Sequence, residues 1–349
     1  MAEKPPTHHF PLKQLGGEGR KTKAKKIKAK TKTKEGRRRK SERQVWKTAF
    51  GAETRPGNLS PGASAAGATT TMPPETTTTT TATTRPVKVR EVWAHNLDEE
   101  FELIREAVDS FPFVAMDTEF PGVVLRPSLQ YLHHSDYLYY TLRSNVGVLN
   151  LIQVGLTLSD ECGVLPDLGD PSASFIWQFN FRDFDPARDI CAPDSVAILE
   201  RSGIDFARNR TDGIDSARFA ELLMSSGLVC NDAISWVTFH SAYDFGYLLK
   251  ILTCRSLPDN RVDFLSLLSI FFCKVYDLKH LMRYADGLHG GLDRLADSLN
   301  VERRAGKCHQ AGSDSLLTWD SFLRMKDSIL RGTTEKYAGV LYGLEGVGY

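Results

Sequence analysis

The stretch FVAMDTEF, Phe113 to Phe120, decides how the rest of the chain is read. An apolar run ends in Asp117 and Glu119, spaced i, i+2. In a strand those two positions point to one face, so a buried strand would end on two carboxylates side by side. Such a pair repels unless a proton or a cation sits between the two groups. Two readings stand at this point. One is a site for Mg²⁺ or Mn²⁺; the other is a solvated strand end with two ordinary acids. D-x-E alone is too short to choose between them.

Charge is divided unevenly along the 349 residues. Residues 1–90 carry 21 Lys and Arg against 6 Asp and Glu, a net +15, while the whole chain is +1, which leaves −14 for residues 91–349. Lys21–Lys40, KTKAKKIKAKTKTKEGRRRK, has almost no apolar residues, and a Thr tract follows at Thr76–Thr81. Such composition buries too little apolar surface to offset ordering entropy, so an unfolded extension is expected over 1–90. Arg37–Lys40 fits a nuclear-import signal, an arm that attracts nucleic acid, or a solvated tail without a role. Lys dominates and helical amphipathicity is absent, which argues against a transit peptide. The six cysteines form no C-x-x-C pair and no zinc-ligand spacing, and read as reduced thiols of an intracellular protein. No apolar stretch approaches a membrane span, and no secretory signal core is visible.

Order is expected from near Val92. Leu97, Phe101, Ile104 and Val108 keep helical spacing behind Asn96 as N-cap. Strands are expected at Phe113–Glu119, Val146–Leu158, Phe175–Phe181 and Trp236–His240. Helical patterns follow: Phe219, Leu222 and Leu223, then Ala242–Leu252, Val262–Phe272, Leu278–Tyr284, Leu292–Leu299 and Ser315–Met325. Three strands in succession, then strands alternating with helices, predict one α/β domain over 91–349, a mixed sheet with helices on both faces.

Two further segments place acids where one element gives way to the next. FHSAYDFGYL, Phe239–Leu248, holds Asp244 in the first turn of an apolar helix. An acid there suits the helix dipole, but its aromatic neighbours make an unpaired charge costly. HQAGSD, His309–Asp314, offers Asp314 as a helix opener or N-cap. On one helix His309 and Asp314 would lie about 140° apart, so a loop at Gly312 is needed for them to converge. Four acids on three elements, with one loop histidine, suit in-line phosphoryl displacement by two divalent ions about 3.5–4 Å apart. Hard oxygen ligands select Mg²⁺ or Mn²⁺, and a neutral imidazole can take the attacking water's proton.

FVAMDTEFPGVV, FHSAYDFGYLLKIL and CHQAGSDSLLT closely resemble the signatures of the DEDD-type RNase-H-like exonucleases, and more narrowly the CCR–NOT-associated deadenylase subunits of the CAF/POP type. IQVGLTL, WQFNF, DSVAILERSGIDF, FAELLMSSG and VYDLKHLM extend the likeness over roughly residues 92–343. The resemblance implies an RNase-H-like fold and a 3′→5′ exoribonuclease that shortens mRNA poly(A) tails and releases 5′-AMP. It puts Asp117, Glu119, Asp244 and Asp314 on the metal-binding acids and His309 on the histidine of the DEDDh subclass, with Mg²⁺ or Mn²⁺ as cofactors. It implies poly(A) RNA, the CCR–NOT scaffold and a second deadenylase subunit as partners of a protein monomeric within that hetero-complex. Nucleus and cytoplasm, including mRNA-decay foci, are the expected locations. Ala242 stands where many relatives have Gly. The N-terminal extension is no part of the family core.

Other residues carry less. His240 is expected to be a core histidine, Asp277 to cap the Leu278 helix, Cys308 to be incidental, and Trp177 and Trp236 to be core. Phe120 either abuts the terminal nucleotide or packs in the core. Two rivals remain: an adaptor with a silent nuclease fold, and a nuclease of this fold acting on other nucleic acids.

Overall fold

The computed structural model describes residues 85–128, 133–328 and 334–345. The basic run and the Thr tract lie outside the described residues. Six strands form one sheet: β1 (Val87–Val92), β2 (Phe113–Glu119), β3 (Gln153–Ser159), β4 (Ser174–Asn180), β5 (Ser235–Thr238) and β6 (Lys274–Asp277), in the order β1-β4-β3-β2-β5-β6. β3 is antiparallel to both neighbours, while the β1–β4, β2–β5 and β5–β6 pairs are parallel. Ten α-helices lie among the described residues: α1 (Leu97–Ala107), α2 (His134–Val148), α3 (Pro193–Ser202), α4 (Phe206–Asp212), α5 (Ser216–Met224), α6 (Ala242–Thr253), α7 (Arg261–Phe271), α8 (Leu278–Leu281), α9 (Leu292–Leu299) and α10 (Ala311–Ser328). None of them is long and apolar enough to cross a membrane.

Strand alternation sends successive side chains to opposite faces, and this splits the interior in two. Val114 and Met116 of β2, Val154, Leu156 and Leu158 of β3, Trp177 and Phe179 of β4, and Phe181 just after it share a core with residues of α1, α5 and α6. Ala115 and Ile176 look the other way, onto Leu316, Trp319 and Phe322 of α10. Towards one end, the α10 face turns polar. There the register aligns Asp117, Gly155, Gln178 and Glu91 across four strands, beside a second row of Glu119, Gln153 and Asn180. The first turn of α10 sits on Gly155, where a Cβ would come within 1.9 Å of the Ala311 carbonyl oxygen.

The structure differs from several expectations. Val146–Val148 close α2, and the strand starts only at Gln153. The run is interrupted only at Asn150, Gln153 and Thr157, too little polarity for its periodicity to separate a helix end from a strand start. The separation comes from Asn145, fully buried, which accepts from Val124 N and Leu125 N (2.8 Å each) and donates to Leu125 O (2.7 Å). Among the described residues, the first strand starts at Val87, ahead of the expected start near Val92. Asn96 stands at the N-cap of α1 without capping it. Its Oδ1 accepts from Trp93 N instead, at 2.8 Å.

Gly155→Ala should drive the α10 N-terminus off the sheet and cost about 1–3 kcal/mol, the usual range for overpacking. Urea unfolding of the variant checks this, and a wild-type midpoint would contradict it.

Candidate active site

β2 aims Asp117 and Glu119 at α10, whose fourth residue is Asp314. One carboxylate oxygen from each of these three lies within 4.8 Å of the others. Glu119 and Asp314 are buried and Asp117 is half-buried. Burial raises the Asp117 carboxyl well above its ordinary range, and repulsion from Asp314, Glu119 and Asp244 raises it further. Glu119 is raised by burial and then by Asp314 and Asp244. Asp314 is raised by burial, although Arg303 opposes the shift.

Asp314 does not cap its own helix. Its Oδ2 accepts from His309 N at 2.9 Å, and its Oδ1 lies 2.6 Å from Arg303 Nη1. His309 has φ +61, so the chain breaks at the histidine itself, while Gly312 lies inside α10. This corrects the expected loop at Gly312. The left-handed turn leaves His309 exposed on the wall of a cavity of about 360 Å³ that Asp117, Glu119 and Asp314 also line. Cys308, His309 and Asp314 form a second set of donors within 4.8 Å. The Cys308 thiol donates to Asp293 Oδ2 at 3.1 Å, and burial followed by that bond pushes it up to about 12. A thiol so firmly protonated is a poor cation ligand.

Asp244 reaches the cluster from the other side of the sheet. α6 packs against the face that carries Met116, and Thr118 Oγ1 donates to Asp244 Oδ1 at 2.7 Å. Asp244 is not one of the three acids in the tight group, yet its charge raises both Asp117 and Glu119. Burial pushes its own carboxyl up to about 6 against the pull of the Thr118 bond.

The lesser assignments divide. Asp277 caps α8 through Lys279 N at 2.9 Å, and it also accepts from His240 N and Tyr342 N at 2.8 and 2.9 Å. His240 is not a core residue. It follows β5 with φ +57, is exposed, and sets its ring edge-on to Tyr342. The strand ends at Thr238 because the chain must turn sharply into α6. Trp177 and Trp236 are fully buried, as expected. Phe120 stacks on Tyr243 at 5.2 Å and touches Tyr247, against the larger core.

Arg303 was not legible in the sequence. It bridges Asp314 and Asp293, with 2.7 Å to the latter, and donates to Ser313 Oγ at 2.6 Å. Nothing in VERRAGKCHQ sets it apart from Arg304, which pairs with Asp320 on the outside. Three crowded carboxylates with oxygen donors only, raised by burial and mutual repulsion, fit a hard divalent cation.

This mixed sheet with helices on both faces is the RNase-H-like exonuclease fold. Residues 92–222 match the model of the CAF1 family of ribonucleases. The chain is 57% identical over 258 residues to "Probable CCR4-associated factor 1 homolog 7" of Arabidopsis thaliana, covering 74% of this chain and 94% of that protein. It is 44% identical over 261 residues to "Poly(A) ribonuclease pop2" of Schizosaccharomyces pombe, covering 74% and 76%. Among solved structures, S. pombe Pop2p in its Mg²⁺- and Mn²⁺-bound form superposes with a TM-score of 0.70 at 44% identity, over 73% of this chain and 99% of that one. Yeast CAF1 co-crystallised with the NOT1 MIF4G domain superposes with a TM-score of 0.60 at 36% identity, over 73% and 96%. The chain therefore belongs to the CAF1 family of ribonucleases.

The raised carboxyls predict an unusual pH dependence of the metal-free protein. A carboxyl whose folded pKa lies above its unfolded value stabilises the fold at low pH and loses that effect as pH rises through the folded pKa. With Asp244 near 6, stability in EDTA should rise as pH falls from about 7 to about 5, by on the order of 1–3 kcal/mol. Saturating Mg²⁺ should abolish the gain. A steady loss of stability over that window in EDTA would contradict the clustering of the acids.

Proposed function

We propose that this chain is a 3′→5′ exoribonuclease that shortens mRNA poly(A) tails and releases 5′-AMP. One observation carries the reading. Asp117, Glu119 and Asp314 converge beside an exposed His309 in one cavity, in a relative of a protein named poly(A) ribonuclease. Asp117, Glu119 and Asp314 would hold a pair of divalent cations from one face of the sheet, with Asp244 completing the set from the other. The ions supply the positive charge that steadies an in-line displacement at phosphorus. His309, free of the core, takes the proton of the attacking water. Asp314 fixes where that imidazole stands, because its carboxylate holds the His309 amide. Arg303 offsets part of the acid repulsion while no cation is bound. Phe120 is braced by Tyr243 and Tyr247, which favours a wall beneath the terminal nucleotide over a mobile stacking platform.

The same reading makes the protein a monomeric subunit of a CCR–NOT-type complex, with scaffold and second-deadenylase partners, acting in nucleus and cytoplasm. The structure of yeast CAF1 with NOT1 supports the scaffold partner. An adaptor with a silent site is disfavoured by the intact set of four acids and a histidine. The boundary expected between residues 90 and 91 falls inside β1 (Val87–Val92), so the catalytic domain is read from that strand onward and the basic arm as the sequence before it.

On a 5′-labelled RNA ending in poly(A), with Mg²⁺ or Mn²⁺, purified protein should give a ladder of single-nucleotide losses and 5′-AMP. Asp117→Ala and Asp244→Ala should be inert in the same assay while remaining folded. His309→Ala should be slower by about 10²–10⁴, the usual worth of a general base. Full activity in either aspartate variant would overturn the assignment, and an inert wild type would leave the adaptor reading.

Deleting residues 1–84, which spares β1, should leave the rate of each cleavage step unchanged and flatten the salt dependence of RNA binding, since ionic contacts weaken steeply with salt. Equal slopes for the two proteins would leave nuclear import, or a solvated tail without a role, as the reading of the arm.

A further inference from the structure

The polar row beneath α10 has a direction. Ala311 and Gly312 offer the first two backbone N–H groups of that helix, and a helix interior supplies no acceptor for them. Gly312 N donates to Gln178 Oε1 at 3.0 Å, and Ala311 N donates to Gln153 Oε1 at 3.3 Å. Each glutamine must therefore turn its oxygen to the helix and its NH₂ away. Gln178 Nε2 donates to Glu91 Oε1 at 3.0 Å. Gln153 Nε2 donates to Asn180 Oδ1 at 2.7 Å, and Asn180 Nδ2 donates to Glu91 Oε2 at 2.8 Å. Both arms end on the two oxygens of one carboxylate. A carboxylate only accepts, so Glu91 and the helix amides fix the sense of every carboxamide between them. The three carboxamide residues are each no more than 3% exposed.

We propose that Glu91, through Gln178 on one arm and Asn180 with Gln153 on the other, is a positioning unit that sets where α10 begins and so where Asp314 and His309 stand. The proposal rests on the exonuclease reading for its functional meaning and on the hydrogen-bond geometry for its existence. Asp314 lies one turn from the two anchored amides, and the His309 amide is held by Asp314. Gly155 lets the helix come down onto this row. A half-broken relay is worse than none, because a buried amide facing another donor has no partner.

Polarity makes the unit testable by exchange of chemistry between two positions. Glu91→Gln places an NH₂ against the NH₂ of Gln178, so one of them must turn and give up a partner. Gln178→Glu sets two carboxylates face to face. The double variant restores a donor–acceptor pair at unchanged charge: the new amide donates to the new carboxylate, which still accepts from Gly312 N. Hydrogen exchange of the Ala311 and Gly312 amides in the full-length, metal-free protein reads the anchor directly. Glu91→Gln should exchange at least about tenfold faster at both amides and Gln178→Glu at Gly312, and the double variant should recover most of the protection. Mn²⁺ binding, followed by paramagnetic resonance, should weaken by roughly 10-fold in the single variants, the low end for residues that orient a metal site, and recover in the double. For poly(A) RNA, the single variants should lower kcat with KM little changed. If the single variants unfold, Gln178→Met keeps the side chain's bulk and should expose Gly312 while the Gln153 arm still protects Ala311. Wild-type exchange in Glu91→Gln or in Gln178→Met, or a double variant as impaired as the singles, overturns the proposal. Exchange and Mn²⁺ binding need no RNA, so an inactive wild type would refute the exonuclease reading and leave this result to stand or fall separately.

Discussion

Repulsion among carboxylates is the constraint on which this structure turns. Three acids within 4.8 Å, with a fourth close enough to raise two of them, cost folding energy wherever they ionise together. The fold bears the cost by building the acids from elements that cannot move apart. Asp117 and Glu119 sit on a strand that is paired to β5 over its first three residues and to β3 along its whole length, Asp314 on a helix pressed against the sheet, and Asp244 on a helix behind it. Arg303 supplies a counter-charge on the α10 side, and Thr118 a hydrogen bond on the α6 side. Stability is spent to keep a charge-dense concavity, which makes chemical sense only if cations come to fill it.

The alternation of β2 explains why the acids approach from two directions. Odd positions face α10 and even positions face α6, so the strand's last residues can address both helices at once. Asp117 and Glu119 meet Asp314 directly, and Thr118, between them in sequence, reaches Asp244 through the sheet's other face. The division of the interior into two cores is thus the same fact as the two-sided assembly of the site.

Much of this was legible in residue pattern. The FVAMDTEF run announces a buried strand that ends in charge, and Asp244 stands out as an acid among aromatics. The parts that were not legible have physical reasons. β1 (VKVREV) alternates as a strand should, but it is short and adjoins the low-complexity stretch, so it reads as part of the extension. β6 has four residues between two helical patterns, too few to show a period. α3 and α4 open on Pro193 and on Asp205 as N-cap, local signals that an apolar periodicity does not weigh. His240 and His309 both adopt positive φ, a backbone choice imposed by tertiary contacts and invisible to side-chain chemistry. Arg303 differs from Arg304 only by which way the chain faces once folded.

The buried Asp277 carries a consequence for how the protein comes into being. Its carboxylate has no solvent and is held by amides of His240, Lys279 and Tyr342. Two of those donors are local to the sheet end, but the third arrives more than sixty residues later, close to the last described residues. A nascent chain leaving the ribosome can pair its early strands long before that donor exists. Until Tyr342 emerges, one oxygen of a carboxylate destined for the interior lacks its partner, and the turn that leads into Asp244 lacks its full anchor. Asp314 and the Tyr342 amide both follow Asp277 in the chain, so the acid set and the full anchor of Asp277 are complete only once both have been made.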